Sequence, residues 1–215
     1  MDQKLLFLIN RQWTSPALDW LMAALSSFDA WAPLIVIAAL ALVLRGGFKT
    51  RAFVLTAALI VGINDGLVSN TLKRAVDRPR PHQTVNDVRQ VDLAKAKPRL
   101  RALFKPAVVK LSRAATEDVA GRSFPSSHTI NTFSAALVAL CFYGLRAGWG
   151  FGLAALVGYS RIYTGSHWPS DVVISALLGC GSTLLLLALT ERLWQSAGRR
   201  ALPMLHARHP SLLAS

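Results

Sequence analysis

Four apolar runs, at 52–72, 127–145, 147–163 and 171–193, constrain this chain more than any other feature. A hydrocarbon core is crossed by about 20 apolar residues in a helix, and each run is long enough or nearly so. Inside that core a helix satisfies its own backbone polar groups, which is why spans of this kind are helical. Composition agrees, since 53% hydrophobic and only 16% charged residues are too oily for an ordinary soluble domain of 215 residues. A fifth run at 31–44 is shorter. The preceding LDWLMAALSSFDA either lengthens it as a tilted helix or lies flat in the interface, where Trp20 and Trp31 suit the headgroup level.

The first residues, MDQKLLFLINRQW, hold too short an apolar stretch for a signal peptide and lack a small-residue cleavage site. Residues 1–30 are therefore expected as an interfacial N-terminal region containing a helix. The fold expected is all-α, a polytopic membrane helix bundle of about five transmembrane helices. It forms one domain over 1–215, with a basic tail at 194–215. Cys141 and Cys180 both lie in apolar runs, without the spacing of metal ligands or of a disulfide framework.

Residues 73–122 carry 13 Lys or Arg against five Asp or Glu, and 73–126 is the one region long enough for extramembrane structure. Basic residues there are either a solvated loop or an attractor of anionic headgroups. No nucleic-acid-binding motif accompanies them, so nucleic acid is not an expected partner. The opposite face receives RGGFKTR, Arg146 and a tail with Arg192, Arg199, Arg200 and Arg208. The positive-inside rule puts that face in the cytoplasm.

Five crossings bring three polar clusters to one face: KRAVDRPRP after the second span, SFPSSH before the third, and SRIYTGSHWPSD between the fourth and fifth. In the last, His167 and Asp171 are four apart, and Pro169 suits the first turn of a helix. Asp171 would reach back to His167, fix its tautomer and leave the other ring nitrogen as base or nucleophile. Taken alone, that pair is better read as a structural, hydrogen-bonded interfacial histidine. Arg161 offers a permanently charged fork suited to phosphate. Ser126 stands at the N-cap of an apolar helix whose free N–H groups form an anion site, and His128 lies in its first turn. Lys73, with Arg78 and Arg80 each followed by proline, brings further positive charge, although a single boundary Lys is usually a snorkelling anchor. Together these groups compose a site for a tetrahedral oxyanion, with phosphoryl transfer as the reaction class.

The chain resembles the type-2 phosphatidic acid phosphatase superfamily, whose three-part signature is shared with the vanadium haloperoxidases. Lys-x6-Arg-Pro is matched by Lys73, Arg80 and Pro81, and Ser-Arg-x5-His-x3-Asp by Ser160, Arg161, His167 and Asp171. Pro-Ser-Gly-His appears as Pro125, Ser126, Ser127 and His128, with serine in place of glycine. The resemblance implies that His167 attacks phosphorus, that Asp171 orients it, and that His128 protonates the leaving oxygen and then activates water. Lys73, Arg80, Ser126, Ser127 and Arg161 would bind the phosphate oxygens. It also implies that no metal or other cofactor is needed.

The partner expected is a membrane-embedded phosphorylated lipid of the undecaprenyl diphosphate or phosphatidylglycerophosphate type. The site would open on the outer side of a bacterial inner membrane. Lipid A phosphatases and phosphotransferases share the signature. A catalytically silent lipid binder would keep the same basic pocket, and a vanadium-dependent halide oxidase would be soluble, against the five spans. The family pattern leaves Asp65, in mid-span, unexplained. A helix-packing hydrogen bond with Asn64 or Asn70 is its expected role, with a part in the site as the alternative.

Overall fold

The computed structural model describes residues 1–115 and 121–213. Short helices α1 (Asp2–Phe7) and α2 (Pro16–Ser26) precede α3 (Phe28–Arg45) and α4 (Phe48–Ile63). Ser15 caps α2 by accepting the Leu18 N–H at 3.3 Å, with Pro16 at the first helical position. Thus LDWLMAALSSFDA does not simply extend the first span: Ser27 breaks the helix, and α3 begins afresh at Phe28.

A π-helical segment, Asn64–Ser69, carries α4 without interruption into α5 (Asn70–Val76). The buried Asn64 at its start donates to Ser134 Oγ at 2.8 Å and Thr183 Oγ1 at 3.3 Å, tying three spans together. After α6 (Pro81–Thr84) the basic region forms an antiparallel hairpin, β1 (Arg89–Leu93) with β2 (Ala107–Leu111), joined through a 3-10 turn at Arg99–Phe104. The hairpin is an addition to the all-α expectation. Buried Val91 and Leu93 hold it to a core shared with α1 and α2.

Then follow α7 (Ser127–Tyr143), α8 (Trp149–Tyr163) and α9 (Pro169–Leu193), with α10 (Arg199–Ala201) and α11 (Pro203–Arg208) in the tail. Among the described residues, four helical stretches are long and apolar enough to span a membrane: Phe28–Arg45, Phe48–Thr84, Ser127–Ala147 and Pro169–Ala201. The protein is a multi-pass membrane protein. The expected fourth crossing, 147–163, is the short α8 of 15 residues, or about 22 Å.

Both ends of α8 are tied. A 3-10 turn, Gly144–Ala147, joins it to the far end of α7, while His167, just past its C-terminus, bonds to Ser123 ahead of the start of α7. It therefore returns the chain along α7. Gly179 allows α7 and α9 to meet closely, because a Cβ there would lie 2.9 Å from the Ile130 carbonyl oxygen. Gly165, at φ +68°, turns the chain between α8 and α9 against the hairpin, where a Cβ would sit 2.6 Å from the Arg89 carbonyl oxygen.

Candidate active site

The three polar clusters are joined by hydrogen bonds. Lys73, on the last turn of α5, donates its Nζ to Ser127 Oγ at 2.5 Å, and Ser69 Oγ lies 2.6 Å from the same hydroxyl. The serine that replaces the family's glycine thus holds the lysine in place. Ser126 occupies the N-cap of α7 but does not cap through its side chain. Its N–H donates to Ser175 Oγ at 2.8 Å, and its hydroxyl accepts from Thr129 at 3.0 Å.

Ile130 is the first residue of α7 whose N–H bonds back, to the Ser126 carbonyl. Among the described residues the N–H groups of Ser127, His128 and Thr129 take no protein acceptor, and they remain for an anion at the positive end of the helix dipole.

Among the described residues His167 and Asp171 share no hydrogen bond or ion pair, contrary to the expectation. His167 Nδ1 lies 2.5 Å from the Ser123 carbonyl oxygen, and Ser123 Oγ donates to Asp171 Oδ2 at 2.5 Å. Asp171 sits at the third residue of α9, where its carboxylate turns inward to accept the Trp168 N–H at 3.1 Å. Ser123 bridges His167 and Asp171. A carbonyl oxygen only accepts, so Nδ1 carries the proton and Nε2 keeps its lone pair. Burial, with Arg161 and Arg80 nearby, pushes the His167 imidazole well below its ordinary pKa and keeps it neutral at physiological pH.

Asp171 is fully buried and paired with Arg78, whose Nη1 donates to Oδ1 at 2.5 Å. Arg78 stands two residues before the signature arginine, and its backbone carbonyl accepts the Ser123 N–H at 2.8 Å. Arg161, at the end of α8, gives Nη1 to the Ser26 carbonyl at 3.1 Å and to the Ser26 hydroxyl, while its buried Nε has no partner among the described residues. Arg80 forms no ion pair among the described residues. His128 meets the Phe28 ring edge-on at a centroid distance of 6.5 Å.

Arg80, Arg161 and His128 all lie within electrostatic reach of His167. The arrangement combines a neutral imidazole with a free Nε2, a second imidazole, three cations and a row of free amides. That set suits transfer of a phosphoryl group.

The Asn64 and Asn70 amides do not bond Asp65: Asn64 holds Ser134 and Thr183, and Asn70 donates to the Gly66 carbonyl at 3.3 Å. Sequence reasoning also missed Ser69, Ser123 and Ser175, since lone hydroxyls carry no spacing signal.

The profile of the PAP2 superfamily matches residues 49–195. The chain belongs to the PAP2 superfamily. It is 27% identical over 188 residues to the lipid A 4'-phosphatase of Bacteroides thetaiotaomicron, a match that covers 83% of this chain and 72% of that protein. It is 42% identical over 59 residues to the undecaprenyl-diphosphatase of Sulfolobus acidocaldarius, covering 26% of this chain and 28% of that one. Among solved structures it resembles the crystal structure of Aquifex aeolicus LpxE at a TM-score of 0.60 and 25% identity, over 87% of this chain and 94% of the other. The family and these relatives place this PAP2 protein among the phosphatases that act on lipid phosphates.

Proposed function

We propose that this PAP2 protein hydrolyses a terminal phosphate from a membrane lipid through a phosphohistidine at His167. The observation that carries the reading is the Nδ1 bond to the Ser123 carbonyl, which leaves Nε2 as the one available nucleophilic nitrogen of that ring. Nε2 attacks phosphorus, the bond from phosphorus to the leaving oxygen breaks, and His128 delivers its proton to that oxygen. His128, now neutral, takes a proton from water as the water oxygen attacks the phosphohistidine. The P–N bond breaks and phosphate leaves. Lys73, Arg80, Arg161, Ser126, Ser127 and the free amides of α7 neutralise the phosphate oxygens, and Asp171 orients His167 through Ser123.

The likeness to a lipid A 4'-phosphatase, over 83% of this chain and 72% of that protein, favours a phosphorylated glycolipid of the lipid A type. The motif-region likeness to an undecaprenyl-diphosphatase supports undecaprenyl diphosphate as the second substrate. The site faces the outer side of the inner membrane, a placement supported by the basic short loops at the other end of the spans.

The test is phosphate release by purified protein in detergent with EDTA, from lipid A, undecaprenyl diphosphate, phosphatidylglycerophosphate and phosphatidic acid. Release by wild type and none by His167→Ala is expected. Release that EDTA abolishes, or that the variant retains, would overturn the mechanism.

A further inference from the structure

Asp2, the first residue of α1, reaches the start of α9, where the signature aspartate sits. Its Oδ1 accepts the Ser170 N–H at 2.9 Å. Its Oδ2 accepts the Ser170 hydroxyl at 2.5 Å and Arg78 Nη2 at 2.8 Å. The same guanidinium turns Nη1 to Ser170 Oγ at 2.9 Å and to Asp171 Oδ1 at 2.5 Å. Arg78 is therefore held between two carboxylates, one at each end of its fork, and its face lies 5.5 Å from the Trp168 ring centroid.

The contacts are mutually consistent. Ser170 is in the first turn of α9, whose N–H groups lack partners inside the helix and whose dipole favours a negative charge. Asp171 takes one donor there, the Trp168 N–H, and Asp2 takes the next from a position far away in sequence. Burial raises the pKa of the Asp2 carboxyl, but the bonds from Ser170 and Arg78 outweigh it and hold the group below its ordinary value. An arginine with a single carboxylate keeps the freedom to swing, and the Arg78 side chain is 34% exposed.

We propose that Asp2 is a positioning residue for the nucleophile: it locks Arg78 onto Asp171, which fixes Ser123 and through it the tautomer and aim of His167. The proposal rests on the reading of His167 as nucleophile. Without Asp2 the Arg78 fork is free to leave Asp171 for solvent or for the substrate phosphate. The lost element is then alignment of the imidazole, a group used in the chemical step, rather than a phosphate contact. The signature of that loss is a lower kcat at nearly constant KM.

The test measures steady-state phosphate release from lipid A and undecaprenyl diphosphate by wild type, Asp2→Asn, Asp2→Glu, Ser170→Ala, Arg78→Gln, the Asp2→Asn/Arg78→Gln double variant and His167→Ala. A small loss of aim in a reacting group costs roughly tenfold or more in activity. A fall of that size in kcat is expected for Asp2→Asn, with KM within about twofold, recovery in Asp2→Glu, and a double variant no slower than Arg78→Gln alone. Should Asp2→Asn not purify folded, Ser170→Ala, which removes two of the contacts made by its hydroxyl but no charge, is expected to show the same split.

Unchanged kcat in Asp2→Asn beside an inactive His167→Ala would overturn the proposal and leave the histidine mechanism standing. So would a loss that Asp2→Glu does not recover, or one that appears as a raised KM. A fully active His167→Ala would overturn both.

Discussion

Ser127 departs from the family pattern at the point where Lys73 is held. Its hydroxyl takes the Lys73 Nζ and pairs with Ser69, so Ser127→Gly frees the lysine to sample solvent. Loss of one hydrogen bond to a charged group costs about 1.5–3 kcal/mol. KM for the lipid is expected to rise more than kcat falls, as steady-state kinetics in detergent will show. His167 sets the pH behaviour. Its folded pKa lies below its unfolded value because burial, then Arg161 and Arg80, disfavour the cation. The neutral form is therefore retained below the ordinary imidazole pKa of about 6.5. Its stabilising contribution is fully present above that pKa and is lost as pH falls toward the lowered one. No loss of kcat/KM through His167 is expected on going from pH 8 to pH 6.5, and a pH–rate profile checks it. The signature residues were legible through their combination and spacing, since a boundary Lys or His taken alone has ordinary structural uses. Ser123 was not legible, because it acts through a backbone carbonyl and a hydroxyl that any sequence could supply.

At the scale of elements, the helices followed from apolar length, since a bilayer admits few other spanning structures. The hairpin did not. Its strands RQVDL and AVVKL are short, and the chain between them makes a 3-10 turn rather than a tight two-residue loop. The α7–α9 contact depends on Gly179, where a Cβ would meet the Ile130 backbone at 2.9 Å. Backbone atoms cannot rotate away, so Gly179→Val is expected to cost about 1–3 kcal/mol by overpacking, seen as a lower thermal unfolding midpoint in detergent. The π-helical turn supplies a second tie, because Asn64 bonds to Ser134 and Thr183 on two neighbouring spans. Asn64→Leu is expected to destabilise by about 0.6 kcal/mol for each lost interhelical bond, by the same measurement.

For the whole molecule, parity brought three distant clusters to one face, and the bonds from Lys73 to Ser127, Ser123 to Asp171 and Arg78 to Asp171 show that they meet. What parity did not reveal is the contribution of the N-terminal region, where Ser26 holds Arg161 and Asp2 holds Arg78. Those partners come from tertiary packing, and no local pattern announces them. The central claim is a covalent intermediate on His167. The most direct measurement is rapid mixing of wild type, His128→Ala and His167→Ala with lipid labelled in its terminal phosphate, quenched under alkaline denaturing conditions that preserve phosphohistidine. Label on His167, trapped longer in His128→Ala and absent from His167→Ala, is the expected result. Lipid turnover without labelled protein in any quench, or label that persists in His167→Ala, would contradict it.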